Sequence, residues 1–385
     1  MKIKWFGFFV WIIVFIGCSR AQEGEWKGAV KNENGIKIVL NPEIPMYSSQ
    51  VVTFEEDLLI GQSPSGEEFN LSSILSFTVD NQENIYIKDA KPLRIKVFDR
   101  YGKLLKSFGI KGEGPEDLPL SGSIQFVHQN EIMCIDEKRG NLKFFSPEGR
   151  FLRYLKCPSL RLSSHTTMTL SNRIYSVKLY PGADEEQLVS LIPPFEASEV
   201  IASRPTSIHP PIPLIWIRYA LLPDNHIVWG ITSEYEFYVM DDNGRTVRKI
   251  RRKHTPVPLS AEYISEIKQS APPGASKERY AERVAKRLSP HFPAFDFIFT
   301  DEAGIFFVKT FETEKETGRY LIDIFDTQGR FLARTPLKVG HVITGEWPNL
   351  YMIKKNHLYA PEHDENGFPV IKRYKIIWNI ESLTP

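Results

Sequence analysis

The chain lacks most of the groups that would announce a chemistry. Its 385 residues hold 3 cysteines, which is no disulfide framework. Cys134 and Cys157 fall in one repeat, on what read as its second and fourth strands. Alternate strands lie about 9–10 Å apart, beyond the roughly 7 Å that a disulfide spans between Cα atoms, so two packed, unpaired thiols are expected. No histidine lies near either in sequence, and apolar surroundings argue against a catalytic thiol. Excess charge is missing too. The 48 Lys and Arg against 47 Asp and Glu give +1, and nucleic acid, which wants a clustered basic surface, is not an expected partner. The basic run from Lys249 to His254 ends an outer strand, where charge discourages sheet-to-sheet association. No Ser sits in a G-x-S-x-G elbow. Gly109, Gly112 and Gly114 are not spaced as a phosphate loop, and no Lys-Ser or Lys-Thr follows them. The 9 histidines are scattered, and the pair His357 and His363 lacks zinc spacing. The sequence therefore names no catalytic residue, no resident cofactor and no substrate.

What the chain does have is a recurring phrase: an apolar strand, an Asp or Ser, polar residues, Gly, a basic residue. It reads Val97-Phe98-Asp99-Arg100-Tyr101-Gly102-Lys103, then Phe144-Phe145-Ser146-Pro147-Glu148-Gly149-Arg150. It returns as Val239 to Arg245 and as Ile324 to Arg330. Gly102 and Gly149 are 47 residues apart, Gly149 and Gly244 are 95 apart, and Gly244 and Gly329 are 85 apart. Propeller blades have four strands in about 40–50 residues. The Asp-x-x-Gly step suits a tight hairpin, since Gly tolerates positive φ and Asp bonds to its own turn. The expected fold is all-β: a six-bladed β-propeller of four-stranded antiparallel blades filling residues 36–385. Five or seven blades stay open as counts, because the third and sixth repeats are degenerate.

Unit one shows the strands most plainly, at 74–79, 85–88, 94–98 and 103–108. Unit six begins near Asn349 and runs out of chain at Trp378 after three strands. A closed ring tolerates no missing strand, so Val51 to Ile60 is expected to supply the outer strand of the last blade. A helical insertion is expected at about 259–289, between blades four and five. Ser260 caps Ala261 to Gln269, and a second segment runs from Ser276 to Leu288 with Tyr280, Val284 and Leu288 on one face. It is either a pair packed on the ring or a lid over the channel.

Lys2 and Lys4 precede an uncharged stretch from Trp5 to Gly17, 13 residues long, too short to span a membrane and suited to a signal peptide. Phe15-Ile16-Gly17-Cys18 resembles the bacterial lipobox, with Phe15 where Leu is usual. The resemblance implies cleavage after Gly17, a lipid anchor on Cys18 and a tether over 18–35. Multiple acylation would hold the protein on a bacterial membrane, outside the cytoplasm. The alternative is an ordinary secretory signal. Unit one also resembles an NHL-type repeat, in Ile85-Tyr86-Ile87, Asp89, Arg94 to Asp99, Gly102, Phe108-Gly109 and Gly112-Glu113-Gly114-Pro115. The whole chain is similar to the six-bladed propeller lipoproteins of bacteria. That resemblance implies a fold and a cell-envelope address, and its fold-mates include binding scaffolds, lactonases and lyases, so it does not choose an activity.

The recurrent Gly turns all join third to fourth strands, which trims one face of the disc. The long segments fall on the other face, where binding residues usually gather. Asp89, Arg94, Asp136, Arg139, Glu234 and His363 are the candidate binding residues there. At the starting ends of the innermost strands, Gln125, His165, Arg218, Asp296 and Asn349 form a candidate axial ring. Such a ring could orient a ligand or ligate a divalent metal. The leading expectation is a non-catalytic scaffold for a protein, peptide or glycan. The alternative is an envelope hydrolase or lyase with a polar or metal site on the axis.

Overall fold

Ile85-Tyr86-Ile87 is apolar without alternation, and all three side chains are buried. A strand covered on both faces needs that pattern, and the chain repeats it around a ring. The computed structural model describes residues 24–47, 51–62, 69–128, 130–161, 163–179, 185–206, 212–272, 274–337 and 351–379. The signal segment, Cys18 and Asn349 lie outside them. The first strands are β1 (Ala29–Glu33), β2 (Ile36–Asn41) and β3 (Val52–Ile60). Blade one is β4 (Ile74–Val79), β5 (Ile85–Ala90), β6 (Leu93–Phe98) and β7 (Leu104–Phe108). Blade two is β8 (Ile124–Val127), β9 (Glu131–Asp136), β10 (Asn141–Phe145) and β11 (Phe151–Lys156). Blade three is β12 (Ser163–Met168), β13 (Ile174–Leu179), β14 (Glu185–Leu191) and β15 (Glu199–Pro205). Blade four is β16 (Ile217–Leu221), β17 (Ile227–Ile231), β18 (Glu236–Met240) and β19 (Thr246–Arg252). Helices α1 (Ala261–Gln269) and α2 (Lys277–Ala285) follow. Blade five is β20 (Phe297–Thr300), β21 (Phe306–Thr313), β22 (Tyr320–Phe325) and β23 (Phe331–Leu337). Blade six is β24 (Met352–Lys354), β25 (His357–His363) and β26 (Pro369–Trp378), completed by β3.

The closing strand is where the missing-strand argument put it. β3 runs antiparallel to β26 from Ile371↔Ile60 to Trp378↔Val52, and β24 meets β4 to shut the ring. The upstream hairpin was not foreseen. β2 pairs in parallel with β19, from Arg248↔Lys37 to Arg252↔Asn41, and makes blade four a six-stranded sheet. Because β1 starts at Ala29, the end of the stretch expected as a tether, 18–35, belongs to this hairpin. Between β2 and β3 the chain follows blade five, where the Met46 and Tyr47 amides donate to the Phe331 and Leu332 carbonyls at 3.0 and 2.9 Å. Residues 29–47 and 51–60 thus gird the outer edges of blades four, five and six in turn, covering edges that would otherwise be open to other strands.

Alternate side chains of each strand face opposite neighbouring blades. On β5, Ile85 and Ile87 pack against blade six, and Tyr86 packs against blade two. Six apolar clusters result, one in each seam. Cys134 and Cys157 are buried and unpaired in two of them. The repeated turns work as their composition suggests. The Asp99 carboxylate accepts the amides of Tyr101 and Lys103, both at 2.9 Å, and Gly102 takes φ +83°. Asp241, Asp326, Asp301 and Asp364 make the same pair of bonds in their own turns.

Ser260 caps the first insertion helix as expected, its Oγ accepting from Tyr263 N, and Ser276 caps the second, its Oγ accepting from Arg279 N. α2 stops at Ala285, short of the expected Leu288. There the backbone switches partner: Ile212 N donates to Arg287 O, and Ser289 N donates to Ile212 O, both at 2.9 Å. No helix among the described residues is long and apolar enough to cross a membrane.

Candidate functional site

The first strand of each blade has a sheet neighbour on one side only, so its inward N–H and C=O groups need other partners. Side chains of adjoining first strands supply several. Ser76 Oγ accepts from Ile124 N at 3.1 Å and Thr78 Oγ1 from Phe126 N at 2.9 Å. Gln125 brackets Met168, accepting from its N–H at 2.9 Å and donating to its C=O at 3.0 Å. Of the expected axial ring, Gln125 therefore serves the seam between blades two and three. His165 is buried and stacks on Tyr219 with ring centroids 4.3 Å apart. Burial, with the nearby Arg218 cation, pushes its pKa down to about 3, which keeps the imidazole neutral.

Arg218 and Asp296 do come together, at the face where first strands start. Arg218 Nε donates to the Asp296 carbonyl at 3.2 Å. Its guanidinium lies over Trp216 and Phe297, 5.5 and 5.8 Å from the ring centroids. The Asp296 carboxylate is held by Lys309 Nζ at 2.7 Å. Burial pulls the Lys309 pKa down, and Asp296 with the neighbouring Tyr351 overcomes this and lifts it above the usual lysine value. Lys309 also lies 4.5 Å from the Tyr320 ring centroid. From blade six, Tyr351 packs against Phe297 with ring centroids 6.1 Å apart. From blade three, Glu186 accepts from Ile217 N at 3.0 Å and pairs with Arg204. Burial raises the Glu186 pKa, and Arg204 opposes that. On the insertion side, Tyr263 of α1 packs on Phe292, which stacks on Phe311 of β21. Burial, with Tyr320 and Asp296 nearby, raises the Tyr263 pKa to about 12.

The candidate binding residues are dispersed. Asp89 is fully buried and accepts from Ser72 N, Ser72 Oγ and Ser73 N at 3.0, 2.7 and 2.9 Å, with Lys96 at 3.1 Å. It fastens the chain entering blade one. Asp136 is buried and receives Arg139 N at 3.2 Å, and Arg139 pairs outward with Glu113. Arg94 reaches Gly109 O at 3.4 Å. Glu234 is exposed in its loop, and His363 is half-buried at the end of β25. Sequence reasoning missed Trp216, Glu186, Lys309 and Tyr351. Lys309 lies in the middle of β21 (Phe306–Thr313), and no local pattern in the sequence singles it out.

No group of three His, Cys, Asp or Glu able to hold a metal ion occurs among the described residues. The opposite face also has a concavity. A cavity of about 210 Å³ opens where β8, β12 and β16 end, its lining including His128, Met168, Leu170, Leu222 and Asp224.

Two solved structures share the fold over nearly their full length. A Bacteroides fragilis protein described as exported is 14% identical, with a TM-score of 0.51 over 88% of this chain and 99% of that one. A member of the DUF4221 family from Bacteroides vulgatus is 13% identical, with a TM-score of 0.53 over 84% of this chain and 98% of that one. No family model and no curated protein matches the chain. Identities this low establish a common propeller, and function has to be argued from the site.

Proposed function

We propose that this is an exported, lipid-anchored protein of the bacterial cell envelope. In this reading its propeller binds a protein, peptide or glycan at the long-loop mouth of the axis, without catalysis. The observation that carries the proposal is the meeting of Arg218, Asp296, Lys309, Trp216, Phe297 and Tyr351, from three blades, at one end of the axis. Rigid aromatic walls beside a few fixed polar groups are what a ligand site needs. A binding role is supported by the state of the ionisable groups. Lys309 is tied to Asp296, and His165 is stacked and neutral, so neither is poised to move a proton. Export and anchorage rest on Lys2, Lys4, the apolar stretch to Gly17 and the Cys18 context.

The binding reading is tested on arrays of envelope glycans and peptides, using the full chain and Trp216→Ala. A ligand held by the full chain, lost in Trp216→Ala at unchanged melting and recovered chemically intact supports it. Release of cleaved product from that ligand would replace the scaffold by an enzyme. Anchorage is tested separately: Cys18→Ala should move the protein from membranes to the soluble fraction, and unchanged membrane association would refute the anchor.

A further inference from the structure

Charges at the mouth can be counted one by one. Asp296 is neutralised by Lys309 at 2.7 Å, and Glu186 by Arg204. Arg218 stands between these two pairs and forms no ion pair of its own among the described residues; its Nε donates to the Asp296 carbonyl. Among the described residues Nη1 and Nη2 have no hydrogen-bond acceptor. A guanidinium offers five N–H donors in a planar fork, so most of this one is unused. The cation is held in place by Trp216 and Phe297, and its surroundings are poor in water, since burial lowers its pKa. A partly desolvated cation with open donors gains more from an anion than an exposed one does.

Building on the binding reading above, we infer that Arg218 is the anchor for a single carboxylate on the ligand, taken by the Nη1–Nη2 fork at the axial mouth. Two features select this class. Among the described residues the uncommitted charge is one, so a monoanion balances it, whereas a phosphate dianion would also face Asp296 and Glu186. The fork is planar, which matches two carboxylate oxygens. Trp216, half-buried beside the guanidinium, is the ring face at the anchor against which a compact body can lie. A sugar acid and the C-terminus of a peptide both meet this description.

The test uses the full chain in low-chloride buffer, with calorimetry for two matched pairs: glucuronate against glucose, and N-acetylphenylalanine against its amide. At least one acid should bind about tenfold or more tightly than its neutral partner, the worth of one charge-assisted contact. Whichever pair responds identifies the source of the carboxylate. Arg218→Gln should abolish the preference, and Arg218→Lys, which keeps the charge without the fork, should restore only part of it. Equal binding of acid and neutral partner, failure of both acids to bind, or a preference that survives in Arg218→Gln would overturn the assignment. An array ligand lost in Trp216→Ala yet bound equally by Arg218→Gln would remove the carboxylate anchor and leave the mouth as the binding site.

Discussion

Substituting Asp323 should be among the most damaging single changes outside the apolar seams. This carboxylate is fully buried between blades four and five. It accepts from Arg334 Nε at 2.6 Å, Arg334 Nη2 at 3.1 Å and the Tyr235 hydroxyl, and it faces Arg252 Nη1 at 3.1 Å. Arg252 is 1% exposed in its side chain and lies between the rings of Tyr235 and Phe331, at 4.8 and 4.6 Å. With Asp323→Ala, Arg334 retains Glu312. Arg252 retains the Glu43 carbonyl at 3.2 Å and loses its counter-ion. Stranding one partner of a buried pair costs about 3–5 kcal/mol, a large share of the roughly 5–15 kcal/mol that holds a typical protein folded. Removing the stranded cation as well, in Asp323→Ala with Arg252→Met, should restore much of the loss, because buried charge is dearer than buried methylene. Denaturant midpoints at constant slope measure each step. A loss under about 1 kcal/mol for Asp323→Ala, or a double variant that merely sums the two singles, would refute the argument.

Three further outcomes are expected. His165 binds its proton far more weakly folded, at about 3, than unfolded, near 6.5. The unfolded chain is therefore protonated first, and stability should fall as pH drops from 6.5 towards 3, by up to ~1.4 kcal/mol per unit. His165→Phe, which preserves stacking on Tyr219, should flatten that part of the acid slope in midpoints taken at several pH values, and an unaltered slope would count against it. Gly122 and Gly244 share φ +81°, but a Cβ on Gly122 would lie 2.0 Å from the Ile135 carbonyl, while Gly244 has open space. Melting should therefore show Gly244→Ala costing about 1 kcal/mol for its backbone alone and Gly122→Ala distinctly more; equal losses would show that crowding is irrelevant. Deleting residues 51–60 removes β3 with its Asp57–Arg373 ion pair and bares β26, so the variant should aggregate. Normal solubility and melting would show that the ring does not depend on this strand.

Much of the ring was legible because its determinants are local. Asp99, Asp241 and Asp326 close their turns within five residues, and Ile85-Tyr86-Ile87 states that both faces of a strand are covered. The closing role of Val51 to Ile60 followed from counting strands against a ring. The hairpin of β1 and β2 carried no such sign. Ala29 to Asn41 is outside the repeat, and its partner β19 lies about two hundred residues onward in parallel. At the mouth, Arg218 and Asp296 showed as polar residues at strand starts. Glu186 and Lys309 read as ordinary members of their strands, because nothing adjacent to them marks the partner that neutralises them.

Sequence alone determined the repeating unit, the helical insertion and the strand that shuts the ring, since turn chemistry and side-chain alternation act between near neighbours. Only the tertiary structure decided which of the charged residues are spent on holding blades together and that Arg218 is left with open donors. Electrostatic pairing depends on distances across seams, and those exist only once six sheets have been brought around one axis.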